Sequence, residues 1–301
     1  MNAAIVPIVP AIELKRILYA TDFSEASRAA LPVVATLASH YGSRIYVAHA
    51  WSPSVYPMVS PDVVSVMDRK QQREAQEELE KLRRIPALAG IAVETVVRRG
   101  TPLEQLEHVV REHNISLAVA TTHGVTGFKH RVLGSVAEEL IRGLSCPVLT
   151  VGPRLAKRFE KLERIGSILF PTDFSEESLA VFPYLASLAD EYQSRLTILH
   201  VLPLETARNP EAKKLAEPLR KQMEKGLRHH ISPRCSADFV IESGDAAETI
   251  LARAHDSNAD LIGLGVRCAT DIAQHFWQTV AYRILAEAEC PVLTYHGASR
   301  W

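Results

Sequence analysis

The chain contains two copies of one sequence pattern, and this duplication constrains its fold more than any other feature. Residues 17–25 read ILYATDFSE and recur as ILFPTDFSE at residues 168–176, an offset of 151. Later matches run at an offset of 144, since CPVLT occupies residues 146–150 and again 290–294. The smaller offset means that the second copy has lost seven residues in between. A repeat this long predicts two domains of one fold rather than a solenoid of short units.

Each copy alternates short apolar strands with amphipathic helices. The predicted strands are residues 17–20, 45–50, 93–97, 117–121 and 148–151, then 168–170, 196–202, 239–241, 261–264 and 292–295. Strands separated by helices imply a parallel sheet covered on both faces, and right-handed crossovers make each sheet doubly wound. The helix after the first strand is expected to kink at Pro32, or at Pro183 in the second copy. Gly42 is expected to end the first of these helices.

Composition is that of an ordinary globular protein. Apolar residues make up 47% of the chain and charged residues 23%, which supports two sizeable cores. The net charge of −1 gives no general attraction to nucleic acid or acidic membranes. No apolar run reaches the ~20 residues that span a bilayer, and residues 1–12 lack the positive charge of a signal peptide. The four cysteines form no C-x-x-C pair, so reduced thiols and a cytoplasmic location are expected.

A glycine-containing connection from the fourth strand to the next helix is the candidate ligand site. Residues 121–137 read TTHGVTGFKHRVLGSVA. Glycines let backbone amides approach a ligand, and a helix start presents unpaired N–H groups, so both favour phosphate. If the first and fourth strands are neighbours at the switch point, Asp22 and Gly124 are expected to face one crevice. The alternative is an ordinary loop whose helix is capped by Ser135 with Glu138.

Three motifs together resemble the universal stress protein family. They are ILYATDFS at residues 17–24, THGVTGFKH with LGSVAE across residues 122–138, and CPVLTV at residues 146–151. The resemblance covers nearly the whole chain as tandem domains, at residues 1–153 and 165–301, with a linker at 154–164. It implies five-stranded parallel sheets of strand order 3-2-1-4-5 with helices on both faces. It also implies that the domains pair antiparallel through their last strands, as an intramolecular pseudo-dimer.

The resemblance further implies an ATP or ADP site in the first domain, with or without Mg²⁺. The family pattern is G-x-x-G, nine residues, then G-[S/T], and Thr121 stands where the first glycine belongs. Asp22 resembles the ribose or base contact, and Ala50 stands at the base-side backbone contact. The carried-over residues are Ala20, Thr21, Asp22, Ala50, Thr121, Gly124, Gly134, Ser135 and Val136.

The second domain departs further from the family pattern. Cys268 replaces the second glycine, Gln278 and Thr279 replace Gly-Ser, and Tyr282 replaces the glutamate of the capping box. Aromatic residues 276 and 277 are candidates to fill the phosphate space. This copy is therefore expected to bind triphosphate poorly and to serve as the partner of the first.

The expected function is a stress-response protein that binds ATP or ADP and acts as a nucleotide-dependent regulatory or interaction module. No P-loop is present, and no lysine or carboxylate pair is placed for phosphoryl transfer, so we expect a binding module rather than an enzyme. A nucleotide-independent scaffold and a slow ATPase are the alternatives. A protein partner is expected but not identified, a homodimer is left open, and neither nucleic acid nor membrane is an expected partner.

Overall fold

A computed structural model of the chain describes residues 13–52, 60–122, 133–152, 164–207, 210–267 and 279–297. Five features expected from the sequence lie outside these ranges. They are Gly124, Cys268, the aromatic residues 276 and 277, Gln278, and nearly all of the expected linker.

Both copies form the expected alternation of strands and helices. Within the described residues, the first copy contains β1 (Arg16–Ala20), α1 (Glu25–Arg28), α2 (Leu31–Tyr41), β2 (Arg44–Trp51), α3 (Pro61–Arg83), β3 (Val93–Arg99), α4 (Pro102–Glu112), β4 (Leu117–Thr121), α5 (Ser135–Gly143) and β5 (Val148–Val151). The second contains β6 (Ser167–Pro171), α6 (Glu176–Ala180), α7 (Phe182–Tyr192), β7 (Arg195–Leu202), α8 (Leu204–Ala207), α9 (Pro210–Leu227), β8 (Ser236–Ser243), α10 (Ala246–Asp256), β9 (Leu261–Gly265), α11 (Val280–Glu287) and β10 (Val292–Tyr295). Short 3-10 turns lie at Pro86–Leu88 and Arg228–His230.

The ten strands form one continuous sheet in the order β3-β2-β1-β4-β5-β10-β9-β6-β7-β8. Within each copy all neighbouring strands are parallel, and the order is 3-2-1-4-5, as expected. The copies join where β5 and β10 pair antiparallel, with Leu149 opposite Leu293. The doubly wound α/β fold and the pairing of the copies through their last strands are thus confirmed.

Buried apolar side chains pack on both faces of the sheet. Helices α2, α3, α7 and α9 cover one face, and α4, α5, α10 and α11 cover the other. Successive residues of β6 show the alternation, since Leu169 packs into one layer and Phe170 into the opposite one. Each core therefore runs across both copies rather than ending at the β5–β10 seam.

The sequence suggested that the helix after the first strand would be kinked at its proline, and this expectation is wrong. The helix is broken instead into α1 and α2, and Pro32 lies in the first turn of α2; α6, α7 and Pro183 repeat this arrangement. Proline is tolerated in a first turn because its missing N–H would have no helical partner there. Gly42 ends α2 in the left-handed conformation, as expected, with φ of 60°.

Candidate functional site

A cleft opens at the carboxyl ends of β1 and β4, which are adjacent in the sheet. Its volume is about 290 Å³. Eight of the nine residues expected from the sequence line this cleft, namely Ala20, Thr21, Asp22, Ala50, Thr121, Gly134, Ser135 and Val136. The ninth, Gly124, lies outside the described residues. The apolar side chains of Ala48, Leu106 and Leu140 complete the wall.

The turn after β1 holds Asp22 by hydrogen bonds within the turn. The amide of Ser24 donates to Asp22 Oδ1 at 3.0 Å, and its hydroxyl donates to the same oxygen at 2.6 Å. Ser24 Oγ also accepts from the amide of Ser27, so it caps α1. Phe23 adopts φ of 63°, a left-handed conformation that non-glycine residues rarely take. The cleft therefore presents a carboxylate on a locally constrained backbone.

His49 supports this turn from β2 and was missed as a site residue. Its Nδ1 donates to the carbonyl of Thr21 at 2.8 Å, and its ring lies 4.4 Å from that of Phe23. Burial lowers the pKa of His49, with the hydrogen bond to Thr21 acting in the opposite sense. A sequence signal existed, because His200 stands at the equivalent position and its Nδ1 donates in the same way to Thr172.

The opposite wall of the cleft is the start of α5. Gly134 is its N-cap residue, and the amide of Gly134 donates to the carbonyl of Thr122 at 2.8 Å. The expected capping box is wrong, because the helix already begins at Ser135, and Glu138 pairs with Arg142 at 3.3 Å instead. Glycine has no side-chain acceptor, so this N-cap leaves the first amides of the helix without a cap from its own residue. Such a helix start favours an anion.

A second cleft of about 320 Å³ lies at the equivalent place in the second copy. It contains Asp173 and the start of α11, but Thr279 Oγ1 caps this helix by accepting from the amide of Tyr282 at 3.2 Å. The reciprocal capping box is absent from α11, as expected. The side-chain cap by Thr279, however, was not expected from the sequence. Three alanines of the first cleft become larger residues here, namely Pro171, Leu199 and Val201.

The position of Thr121 is occupied by Gly265 in the second copy, and the structure shows what that glycine does. A Cβ on Gly265 would lie 1.8 Å from the backbone oxygen of Glu177 in α6. The glycine therefore permits close packing of α6 against β9. In the first copy, Thr121 lines the cleft with a side chain at the same position. This position governs how closely the helix after the first strand approaches the fourth strand.

The charge at the first cleft is sparse. Asp22 is the one carboxylate among the described residues that line it. In the described part of the chain, no group of three or more His, Cys, Asp or Glu side chains is arranged to hold a metal ion. Across those same ranges, every helix is too short or too polar to cross a membrane. Among the described residues of this cleft, Asp22 is therefore the one carboxylate that could ligate a metal ion.

The fold and its clefts define a class of protein: a tandem pair of doubly wound α/β domains, each with a ligand-sized cleft at the carboxyl edge of its sheet. The model of the universal stress protein family matches residues 13–152 and again residues 165–296. The chain belongs to the universal stress protein family, with one family domain in each copy.

Individual relatives agree with this assignment. A universal stress protein of Methanocaldococcus jannaschii is 27% identical over 138 residues, which are 46% of this chain and 81% of the relative. A second, from Bacillus subtilis, is 26% identical over 144 residues, 45% of this chain and 97% of the relative. The crystal structure of a universal stress protein from Archaeoglobus fulgidus superimposes with a TM-score of 0.72 at 21% identity. It covers 93% of this chain and 97% of its own, so the likeness in fold spans both domains.

Proposed function

We propose that the first domain binds ATP or ADP in the cleft between Asp22 and the start of α5. The observation that carries this proposal is the convergence on one cleft of a constrained carboxylate and a helix start whose N-cap glycine supplies no side-chain cap. A nucleoside phosphate can use both groups, because its ribose hydroxyls can donate hydrogen bonds to the carboxylate and its phosphates can accept hydrogen bonds from the helix amides.

Each wall of the cleft has a chemical role in this proposal. The carboxylate of Asp22 accepts hydrogen bonds from the ribose, and the backbone at Ala50 meets the edge of the base. Apolar side chains, Leu106 and Leu140 among them, contact the faces of the adenine ring. The amides at the start of α5, near Gly134 and Ser135, face the phosphates, where the helix dipole adds partial positive charge. When Mg²⁺ is present, it arrives with the nucleotide.

The second domain is proposed not to bind triphosphate well. Its helix start is already capped by Thr279, so an anion would compete with a bond that the protein makes by itself. The base end also differs, because Leu199 and Val201 replace alanines and present bulkier side chains to the cleft. We assign this domain a supporting role beside the first.

The proposed role of the whole chain is a regulatory or interaction module of the stress response, in which nucleotide occupancy changes the surface offered to a protein partner. It is proposed to bind rather than to catalyse, since Asp22 is the one carboxylate among the described residues that line the cleft. A cytoplasmic location is proposed as well. Cys146 and Cys235 are buried free thiols, and burial raises the pKa of Cys146 to about 12.

Isothermal titration calorimetry with ATP and ADP tests the proposal. The informative variant is Gly134→Asp, because the φ of −65° at this position accepts any residue. Aspartate is a good N-cap, so the fold should keep its stability, while the new carboxylate repels phosphate. A charge repulsion of about 1.4 kcal/mol or more corresponds to at least a tenfold loss of ATP affinity.

Thr279→Asp is the matched control, because it introduces the same charge at the start of α11 in the second copy. This variant should bind ATP as the wild type does. The absence of ATP and ADP binding by the wild type at millimolar concentration would refute the proposed function. So would a Gly134→Asp variant that retains wild-type affinity.

A further inference from the structure

The second domain contacts the first at the start of α5, next to the proposed phosphate site. The hydroxyl of Tyr282, in the first turn of α11, accepts a hydrogen bond from the backbone amide of Leu133 at 3.3 Å. Tyr282 is 9% exposed and Leu133 is 1% exposed, so solvent competes little for this bond. Leu133 immediately precedes Gly134, the N-cap of α5.

The second domain also contacts the other end of the same helix. His296, which follows β10, donates from Nε2 to the carbonyl of Leu144 at 2.7 Å. Leu144 is the C-cap residue of α5, so its carbonyl lies at the negative end of the helix. The second domain therefore holds α5 at both ends.

Two consecutive amides fix the backbone where it enters α5. The amide of Gly134 donates to Thr122 at the end of β4, within the first domain. The amide of Leu133 donates across the domain boundary to Tyr282. The backbone that leads into the first turn of α5 is thus held by one hydrogen bond to each domain. Both bonds therefore act on the residues that lead directly into the first amides of α5.

The residue equivalent to Tyr282 in the first copy is engaged differently. Glu138 occupies that position and pairs with Arg142 within α5. The Glu138 carboxylate is thus engaged within its own helix, whereas the Tyr282 hydroxyl accepts a hydrogen bond from the backbone of the other domain. The amide of Tyr282 meanwhile donates to Thr279, so the same residue closes the first turn of α11.

We propose that Tyr282 is a positioning residue for the phosphate end of the first cleft, supplied by the second domain. Its hydroxyl holds Leu133, and through it Gly134 and Ser135, in the position from which the α5 amides receive phosphate. The proposal rests on the proposed nucleotide binding and adds a task for the domain whose own site has lost the family pattern.

The variant that tests this proposal is Tyr282→Phe, which removes the hydroxyl and keeps the ring. One neutral hydrogen bond is worth about a fivefold change in an equilibrium constant. The affinity for ATP should therefore fall by about fivefold, while the affinity for adenosine, which lacks phosphates, stays unchanged. A merely structural defect would weaken both ligands equally. Amide hydrogen exchange at Leu133, followed by NMR without nucleotide, should accelerate by a similar factor.

Tyr295→Phe is the matched control. Tyr295 lies in β10 at the same domain boundary, and its ring contacts Tyr184 at 5.1 Å. This variant should leave ATP affinity and exchange at Leu133 unchanged. Equal losses for ATP and adenosine in Tyr282→Phe, or no loss for either, would overturn the positioning role. If the wild type binds no ATP, the proposed function fails, and exchange at Leu133 alone decides whether Tyr282 holds this segment. In that case, faster exchange at Leu133 in Tyr282→Phe but not in Tyr295→Phe would show that Tyr282 holds the segment, and unchanged exchange would overturn the proposal.

Discussion

Replacement of Gly265 by alanine should destabilise the second domain, because this glycine lies against the backbone of α6. A Cβ at this position would lie 1.8 Å from the carbonyl oxygen of Glu177 and 2.4 Å from Cα of Ser178. Both are backbone atoms, so no side-chain rotation relieves the overlap. Carbon and oxygen atoms ordinarily approach to about 3.3 Å, so α6 would have to move by about 1.5 Å.

The expected loss follows from the cost of overpacking a close-packed interior. Such changes cost about 1–3 kcal/mol, and contact with rigid backbone places Gly265→Ala near the upper value. With a slope of about 2 kcal/mol per molar urea, a loss of about 3 kcal/mol lowers the unfolding midpoint by about 1.5 M. Urea unfolding followed by circular dichroism measures this shift.

Gly226→Ala is the matched control for Gly265→Ala. Gly226 lies in α9, and a Cβ there would have no neighbour within 4 Å. Alanine is a better helix former, so this variant should gain about 0.5–1 kcal/mol of stability. A Gly265→Ala protein with the wild-type midpoint would refute the packing argument.

Three further predictions concern the turn, the seam and a helix end. Because burial lowers the pKa of His49 below its ordinary 6.5, the unfolded chain binds a proton that the folded chain does not, and stability falls as pH drops through 6.5 toward the folded-state value. The variant His49→Asn keeps a hydrogen-bond donor for Thr21 but does not titrate in this range. Between about pH 7.5 and about pH 5.5, its free energy of unfolding in urea titrations should fall by less than that of the wild type. An equal fall would contradict this. Thr150→Val should cost about 1 kcal/mol, because the buried hydroxyl donates to Val292 across the β5–β10 seam at 3.1 Å; unchanged thermal unfolding would show that this bond adds nothing. Gln193→Gly should raise the free energy of unfolding by about 1 kcal/mol. The reason is that Gln193 ends α7 in a left-handed conformation, with φ of 51°, at the position where the first copy has Gly42. A destabilised variant would argue against backbone strain at this position.

The elements and their order followed closely from the sequence. The predicted bounds of β4, β5 and β10 match the structure residue for residue, and other strands extend by up to three residues at an end. Such agreement is expected where a short apolar run has glycine, proline or a cap at its ends, because these signals act locally on the backbone. The helix break before Pro32 was missed, because a period of apolar residues continues across it.

The candidate site was predictable where it rests on residues that follow strands. Asp22, Thr121 and Ala50 had to approach one another once β1, β2 and β4 were neighbours, because parallel strands end at one edge of the sheet. The start of α5 was less predictable. Ser135 and Glu138 have the spacing of a capping box, but the helix begins one residue earlier than that box requires. The residue that caps a helix depends on where the tertiary structure holds the backbone just before the helix. The spacing of Ser135 and Glu138 in the sequence does not encode this position.

The sequence by itself determined that the chain has two copies of one α/β fold, that their sheets share a strand order, and which residues lie at the carboxyl ends of the strands. These properties follow from repeats, apolar periods and caps, which act over a few residues. The tertiary structure alone decided that Gly265 faces the backbone of Glu177 and that Tyr282 reaches Leu133, 149 residues away. Contacts of this kind depend on distances between packed elements. A displacement of about 1 Å makes or breaks them, because hydrogen bonds and steric overlap both change steeply over that range.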